Sequence, residues 1–282
     1  MTTLTTTPDV AGILPGDYGP LIIQPVEAES VAFRAATIVA TGAETFHVPI
    51  ITDDAGASWV EEGSEIPLDD ATFAELEVRP AKAAGLTSVS RELAEDSSPA
   101  AATIVGQSIA RSLARTIDLA FFGALAAPAP SGLAALTGVS AVDAPAAFTD
   151  LDPFAQAIAD AEQVGATLTS FVANPADALS LSTLKEETGS NRALLGADAT
   201  QATDRRILGV PLLVSPAGAV GTVWGIPNAR VLVVRRTDVR IETSPHLYFS
   251  SDRVAIRATM RVGFAFPHPA AVVKITAAAP AA

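Results

Sequence analysis

The chain has 282 residues, of which 49% are hydrophobic, only 5% aromatic and 17% charged, and its formal net charge is −13. It contains no cysteine, which excludes disulfides, thiolate nucleophiles and cysteine metal ligands, and it has no Lys/Arg cluster of the kind that grips nucleic-acid phosphates. No apolar run reaches the ~20 residues that span a bilayer, and Met1-Thr2-Thr3-Leu4 lacks the basic start of a signal peptide, so a cytoplasmic protein is expected.

A chain of this length makes one large domain or two modest ones. With so few aromatics, its core must be built from Ala, Val, Leu and Ile. Charge lies below the usual quarter of a soluble domain. Two readings stand side by side: surface buried between copies of the chain, or the residue bias of an Ala-rich, high-GC genome.

Residues 1–30 are rich in Thr, Pro and Gly, with apolar patches such as Leu21-Ile22-Ile23. The patches point to an extended arm lying on a neighbouring subunit; a disordered terminus is the plainer reading. Short β-like runs follow at 31–51, among them Phe46-His47-Val48-Pro49-Ile50. The segment 52–70 turns acidic, with Asp53, Asp54, Glu61, Glu62, Glu65, Asp69 and Asp70, and 73–90 alternates again. Two strands flanking a long polar excursion make an extended hairpin loop with little core of its own.

Ser98 is a good N-cap and Pro99 a good first helical residue. Val105, Ile109, Leu113, Ile117, Phe121 and Leu125 then recur at a spacing of four, which predicts one helix over 99–125. At ~1.5 Å per residue it would be roughly 40 Å long and act as a strut. Asp152-Pro153 opens a second helix that Gly165 closes, 169–173 reads as a buried strand, and Asn174-Pro175 opens a third helix with Gly189 past its end. The β-branched runs at 210–214 and 230–234 are expected to be central strands, giving an α/β unit over about 140–236. From Arg253 onward Val254, Ile256, Met260, Val262 and Phe264 face one way, and Arg253, Arg257 and Arg261 the other. Residues 239–243 are the expected partner strand, with turns around Ser244-Pro245 and Ser250-Ser251-Asp252. A short strand at 271–275 precedes an Ala/Pro tail.

No catalytic constellation has adequate spacing, and no catalytic, cofactor or metal residue is assigned. His47, His246 and His268 are scattered and lack an i, i+4 partner. Gly218-Ala219-Val220-Gly221 is too short for a phosphate loop, and there is no Gly-x-Ser-x-Gly elbow. The acids of 53–70 read as a solvated loop face, with divalent-ion binding as the sharper alternative. Trp59 sits in a polar loop, off any periodic face; it is either a core residue or an anchor inserted into an adjacent subunit. The Arg stripe is either solvated or paired with the acidic loop of a neighbouring copy.

Taken in order, these pieces resemble the major capsid proteins of tailed phages with the Hong Kong 97-type fold. The matching residues are Trp59 with its acids, the 73–82 run, Val89-Ser90-Arg91-Glu92-Leu93, Asp96-Ser97, Ile117-Asp118, Phe122-Gly123 and Pro130-Ser131-Gly132. The Arg-rich strands before Phe264-Ala265-Phe266-Pro267 complete the set. The resemblance spans about residues 20–276 and implies an α+β fold. Its parts would be an N-terminal arm (1–30), an extended β-hairpin loop with flanking strands (31–82), a peripheral domain with a long spine helix and β-hairpin (83–138 and 237–266), and an axial α/β domain (139–236 and 267–282).

The resemblance also implies a structural role rather than catalysis. Such subunits form the hexamers and pentamers of an icosahedral head, assemble in the host cytoplasm and end in the virion. They enclose DNA without sequence-specific binding, need no cofactor or membrane, and work with portal, separate scaffolding or decoration proteins. An acidic shell suits this, because like charge keeps the packaged DNA from sticking. Trp59, Glu61, Glu62, Glu65, Arg79, Arg253, Arg257 and Arg261 are the expected contacts between copies. Trp59 lies near the start, so scaffolding is expected from a separate protein or not at all. No lysine lies between 52 and 80, so covalent crosslinking at the loop tip is not expected. Two other readings are an encapsulin shell, with the same fold and a different cargo, and a soluble metal-dependent enzyme using the acidic loop.

Overall fold

Apolar side chains spaced by four load one side of a helix, and a strand with alternating apolar residues offers the surface to receive it. This pairing organises the first core. The structure, a computed structural model, describes residues 29–53, 59–65, 68, 70, 72–90, 100–144, 148–187, 190–195 and 205–277. The expected arm, the Ser98-Pro99 cap, the 91–97 part of the resemblance, Asp54, Asp69, most of the 189–204 loop and the tail lie outside the described residues.

A short helix α1 (Val31–Ala35) leads into β1 (Thr37–Ala40). The hairpin strands β2 (Phe46–Asp53) and β3 (Thr72–Val78) follow, then β4 (Ala81–Ser90) and the long helix α2 (Ala100–Phe122). The second unit contains β5 (Ser140–Ala144), α3 (Asp152–Gln163), β6 (Ser170–Ala173), α4 (Pro175–Thr183), β7 (Arg206–Ile207), β8 (Val210–Val214) and β9 (Thr222–Ile226). The chain returns through β10 (Leu232–Tyr248) and β11 (Arg253–Ala265) and ends in β12 (Val273–Ala277).

A four-stranded sheet has the order β1-β10-β11-β4, antiparallel except where β1 runs parallel to β10. Helix α2 covers one face, burying Ile109, Leu113, Ile117 and Phe121 against Met260, Val262 and Phe264. Phe121 meets Phe264 edge-on at 5.0 Å, a favoured aromatic geometry. A six-stranded sheet, β5-β12-β9-β6-β8-β7, holds the second core of Phe154, Phe171, Leu181 and Ile275. The ribbon β2–β3 stands apart as a two-stranded sheet. Only its root is packed, with Phe46, Val48, Leu76 and Val78 against Leu232, Val234 and Ala265. Gly263 makes that contact possible: a Cβ there would lie 2.8 Å from a methyl of Val78.

Several expectations need correction. Helix α2 stops at Phe122, so Leu125 falls beyond it and is exposed. The reason is close backbone approach, since Gly132 lies against the carbonyl end of the helix. A Cβ on Gly132 would sit 2.0 Å from the Ala120 carbonyl oxygen and 2.6 Å from that of Phe121. The run 230–234 is not a strand of the α/β unit. Asn228–Arg230 is a 3₁₀ turn, and β10 starts at Leu232, between β1 and β11. The turn expected at Ser244-Pro245 is instead an irregularity inside β10, which continues to Tyr248. The chain reverses at Phe249–Ser251, with Asp252 at φ 47. Helix α4 ends at Thr183, well before Gly189, and Lys185 then bridges to Ala193.

One buried carboxylate ties these parts together. Asp118 projects from α2 and accepts hydrogen bonds from Ser30 Oγ (2.6 Å), Val31 N (3.0 Å) and Ala32 N (3.0 Å). Ser215, just beyond β8, donates a further one. Burial pushes this carboxyl above the ordinary carboxylate range, and the hydrogen bonds from Ser30, Ala32, Val31 and Ser215 pull it part of the way back. The folded state therefore holds this proton more tightly than the unfolded chain does. The stability gained from that proton is complete below the unfolded pKa of ~3.9 and is lost as pH rises through the raised value.

Two predictions follow from this packing. G132A should lower subunit stability by about 1–3 kcal/mol or more in denaturant unfolding, because backbone must move to admit the methyl; an unchanged midpoint would show that the close approach is not needed. D118N should cost about 1–3 kcal/mol at neutral pH, because an amide donor replaces an acceptor facing backbone N–H groups. Stability of the wild type relative to D118N should decrease as pH is raised from below 4 toward neutrality, and an increasing margin would contradict the assignment.

Candidate assembly surfaces

Cross-strand pairing divides the residues of the β2–β3 ribbon between two faces. Phe46 pairs with Val78 and Val48 with Leu76 on the face that is anchored at the root. On the other face His47 pairs with Glu77, Pro49 with Glu75 and Ile51 with Phe73. The far end has no cover: Ile51 is 56% exposed, Phe73 72%, Leu68 92% and Trp59 fully exposed. Glu61, Glu62 and Glu65 are exposed beside Trp59, around a turn in which Ser64 N donates to Glu61 O and Gly63 takes φ 84. Trp59 therefore lies in water among carboxylates, packed against nothing among the described residues. The reading of Trp59 as a core residue is corrected accordingly.

The Arg stripe of β11 lies on the sheet face away from α2, in line with the alternation in the sequence. Registers place Lys82, Arg240, Arg253, Arg257 and Arg261 on that face, with Glu242 among them. Arg257 spends its charge on Glu242 across the β10–β11 pair. Arg253 sits opposite Ser90 at the turn end, and Arg261 opposite Lys82 near the ribbon root. A cleft of about 470 Å³ at that root is lined by Glu44, Glu77, Arg79, Arg236 and Arg261. Arg79 Nε donates to Glu77 Oε1 at 2.9 Å, whereas Arg236 and Arg261 have no carboxylate partner among the described residues.

Six of the eight expected contact residues therefore fall into two groups, and two fall in neither. Trp59, Glu61, Glu62 and Glu65 share the outer end of the ribbon. Arg79 and Arg261 meet at its root, Arg253 is remote from them, and Arg257 is already paired. Sequence reasoning missed Arg236, Arg240 and Lys82 as members of the basic face. The bulges in β10 shift the alternation there, so no simple period marks Arg236 or Arg240. Among the described residues no cluster of His, Asp or Glu could hold a metal ion, and no helix is long and apolar enough to cross a membrane.

Comparison with known proteins supplies the context for these surfaces. The family model described as the phage capsid family matches residues 11–277. No curated protein matches the chain. Solved structures similar to it include the capsid of an empty GTA particle, at 22% identity and TM-score 0.69, covering 89% of this chain and 90% of that one. The Gordonia phage Cozz structure matches at 18% identity and TM-score 0.70 (88% and 86% covered), and that of Mycobacterium phage Adephagia at 17% and 0.69 (88% and 89%). A spine helix on a four-stranded sheet, a protruding ribbon and a separate α/β unit form the Hong Kong 97-type fold, and the chain belongs to the phage capsid family as a major capsid subunit.

Proposed function

We propose that this subunit builds hexamers and pentamers of an icosahedral head by laying its ribbon on a neighbouring copy. The observation that carries this reading is the family match over residues 11–277. The exposure of the ribbon's outer end supports it, since an isolated two-stranded ribbon is marginal in water unless its apolar face is packed. One of the similar GTA capsids was computed with C5 symmetry, which agrees with closed rings of this fold.

Mechanism on this reading is the sum of many modest contacts. Each copy gives its ribbon to one neighbour and receives another in return, a head-to-tail arrangement that closes into rings when the rotation per copy permits. The contact removes Trp59, Leu68 and Phe73 from water, with Trp59 as the anchor of the patch. Residues 31–82 act as the extended loop and its flanking strands, 83–138 and 237–266 as the peripheral domain, and 139–236 with 267–282 as the axial domain, except that α1, β1, residues 81–82 and residues 232–236 belong to the peripheral core and its sheet. The head would be assembled in the host cytoplasm around DNA, with portal, scaffolding or decoration proteins as further partners. The net charge of −13 repels DNA, so the genome is enclosed rather than bound.

The purified protein should form closed shells visible by electron microscopy; a monomer or dimer on gel filtration under all assembly conditions would contradict the reading. W59A should abolish shells or lower their melting temperature while leaving the subunit's circular dichroism unchanged, as loss of an anchor aromatic removes about 2 kcal/mol or more per contact. Shells of W59A with wild-type yield and heat resistance would remove Trp59 from the interface.

A further inference from the structure

We infer that the basic cleft at the ribbon root, formed by Arg79, Arg236 and Arg261, seats the acidic turn Glu61-Glu62-Gly63-Ser64-Glu65 of a second copy. The assignment rests on the shell reading above and specifies which charges meet in the contact.

Charge is segregated along this chain. No lysine or arginine lies between Arg34 and Arg79, while the same stretch carries the acids of the ribbon. The four-stranded sheet reverses the balance, with Lys82, Arg235, Arg236, Arg240, Arg253, Arg257 and Arg261 against Asp238 and Glu242. A basic face on a chain of net charge −13 is a local exception, and such exceptions direct association more than they stabilise a fold. Within that face Arg257 is satisfied by Glu242. Lys82, Arg240 and Arg253 have no carboxylate partner among the described residues, but only Arg236 and Arg261 of the cations without one line the cleft, beside Arg79, which Glu77 holds. Glu61, Glu62 and Glu65 likewise have no cationic partner among the described residues.

Geometry decides that the partner is another copy. Glu77, Arg79 and Pro80 line the cleft, so it lies at the root of the ribbon. The acidic turn lies beyond the other end of β3 (Thr72–Val78). At ~3.3 Å per residue that strand alone separates the two by roughly 20 Å, and Glu61, Glu62 and Glu65 are exposed without an ion pair to any described cation of their own chain. Two different patches that cannot meet within one chain make a head-to-tail contact. Packaged nucleic acid is a poorer occupant. A duplex presents a charge every ~1.7 Å and would have to pass Glu44 and Glu77, whereas a short turn carries few charges and can enter between them.

The test is a charge swap in the full-length chain, with folding of each subunit checked by circular dichroism. R261E alone and E61K/E62K alone should each lower shell yield at low salt by about tenfold or more, and the combination should restore most of it. E61K/E62K lies on an exposed turn, so its effect does not depend on a core tolerating substitution. Wild-type shells should also lose heat resistance as salt rises from about 0.1 M to about 1 M, where the screening length falls from ~10 Å to ~3 Å. Shells of R236A/R261A should lose that dependence. Normal assembly of R261E, or a swap that fails to rescue while all subunits fold, overturns the pairing and leaves the shell reading standing. Normal assembly of R261E with impaired DNA retention assigns the cleft to phosphate instead and also overturns it. Failure of the wild-type protein to form any large assembly overturns both.

Discussion

Asp118 holds together what would otherwise be separable pieces. Its carboxylate leaves the spine helix, accepts two backbone N–H groups at the start of α1, and receives hydroxyls from Ser30 and Ser215. Ser215 itself is fixed to β6 through its backbone bond to Ala173. One side chain thereby joins the helix of the first core, the entering chain and the edge of the second core. Burying a carboxylate is costly, and donors from two chain segments, residues 30–32 and Ser215, offset that cost. A body rigid at this point can carry a cantilevered ribbon, because any rocking between the cores would be magnified at the ribbon's end.

The ribbon obeys a different rule. Its root is packed, with Gly263 admitting Val78 against β11, while its outer end leaves Trp59, Leu68 and Phe73 in water. Apolar surface is thus divided between a part satisfied within the chain and a part that is not. Charge is divided in the same sense, acids on the ribbon and bases on the sheet behind it. On the assembly proposed above, both divisions are satisfied between copies.

Legibility in the sequence followed the strength of local periodicity. The spacing of four from Val105 to Phe121 identified α2, and the alternation from Val254 to Phe264 identified both faces of β11, because each pattern repeats many times over one buried side. Asn174-Pro175 and Gly165 marked helix ends through cap chemistry, and the Asn174 side chain does accept from Ala176 N. The failures arose where long-range packing overrode a local signal. Leu125 continued the stripe, but the backbone of Gly132 occupies the space beyond Phe122. Leu232 reads like any buried strand, and its pairing with Thr37 and Ala265 places it in the four-stranded sheet. Pro245 reads like a turn, yet an irregular stretch of β10 accommodates it. Among the contact residues, the acids and Trp59 were visible because they interrupt a pattern, whereas Arg236 was hidden by the register shifts of β10.

The central claim is that the ribbon finds its partner on another copy. A cryo-electron-microscopy reconstruction of the assembled particle, at a resolution that traces side chains, tests it most directly. Density for Trp59 and Glu61–Glu65 should lie on the adjacent subunit, with the acids next to Arg236 and Arg261. A ribbon folded over its own body, or pointing into solvent within an intact shell, would contradict it.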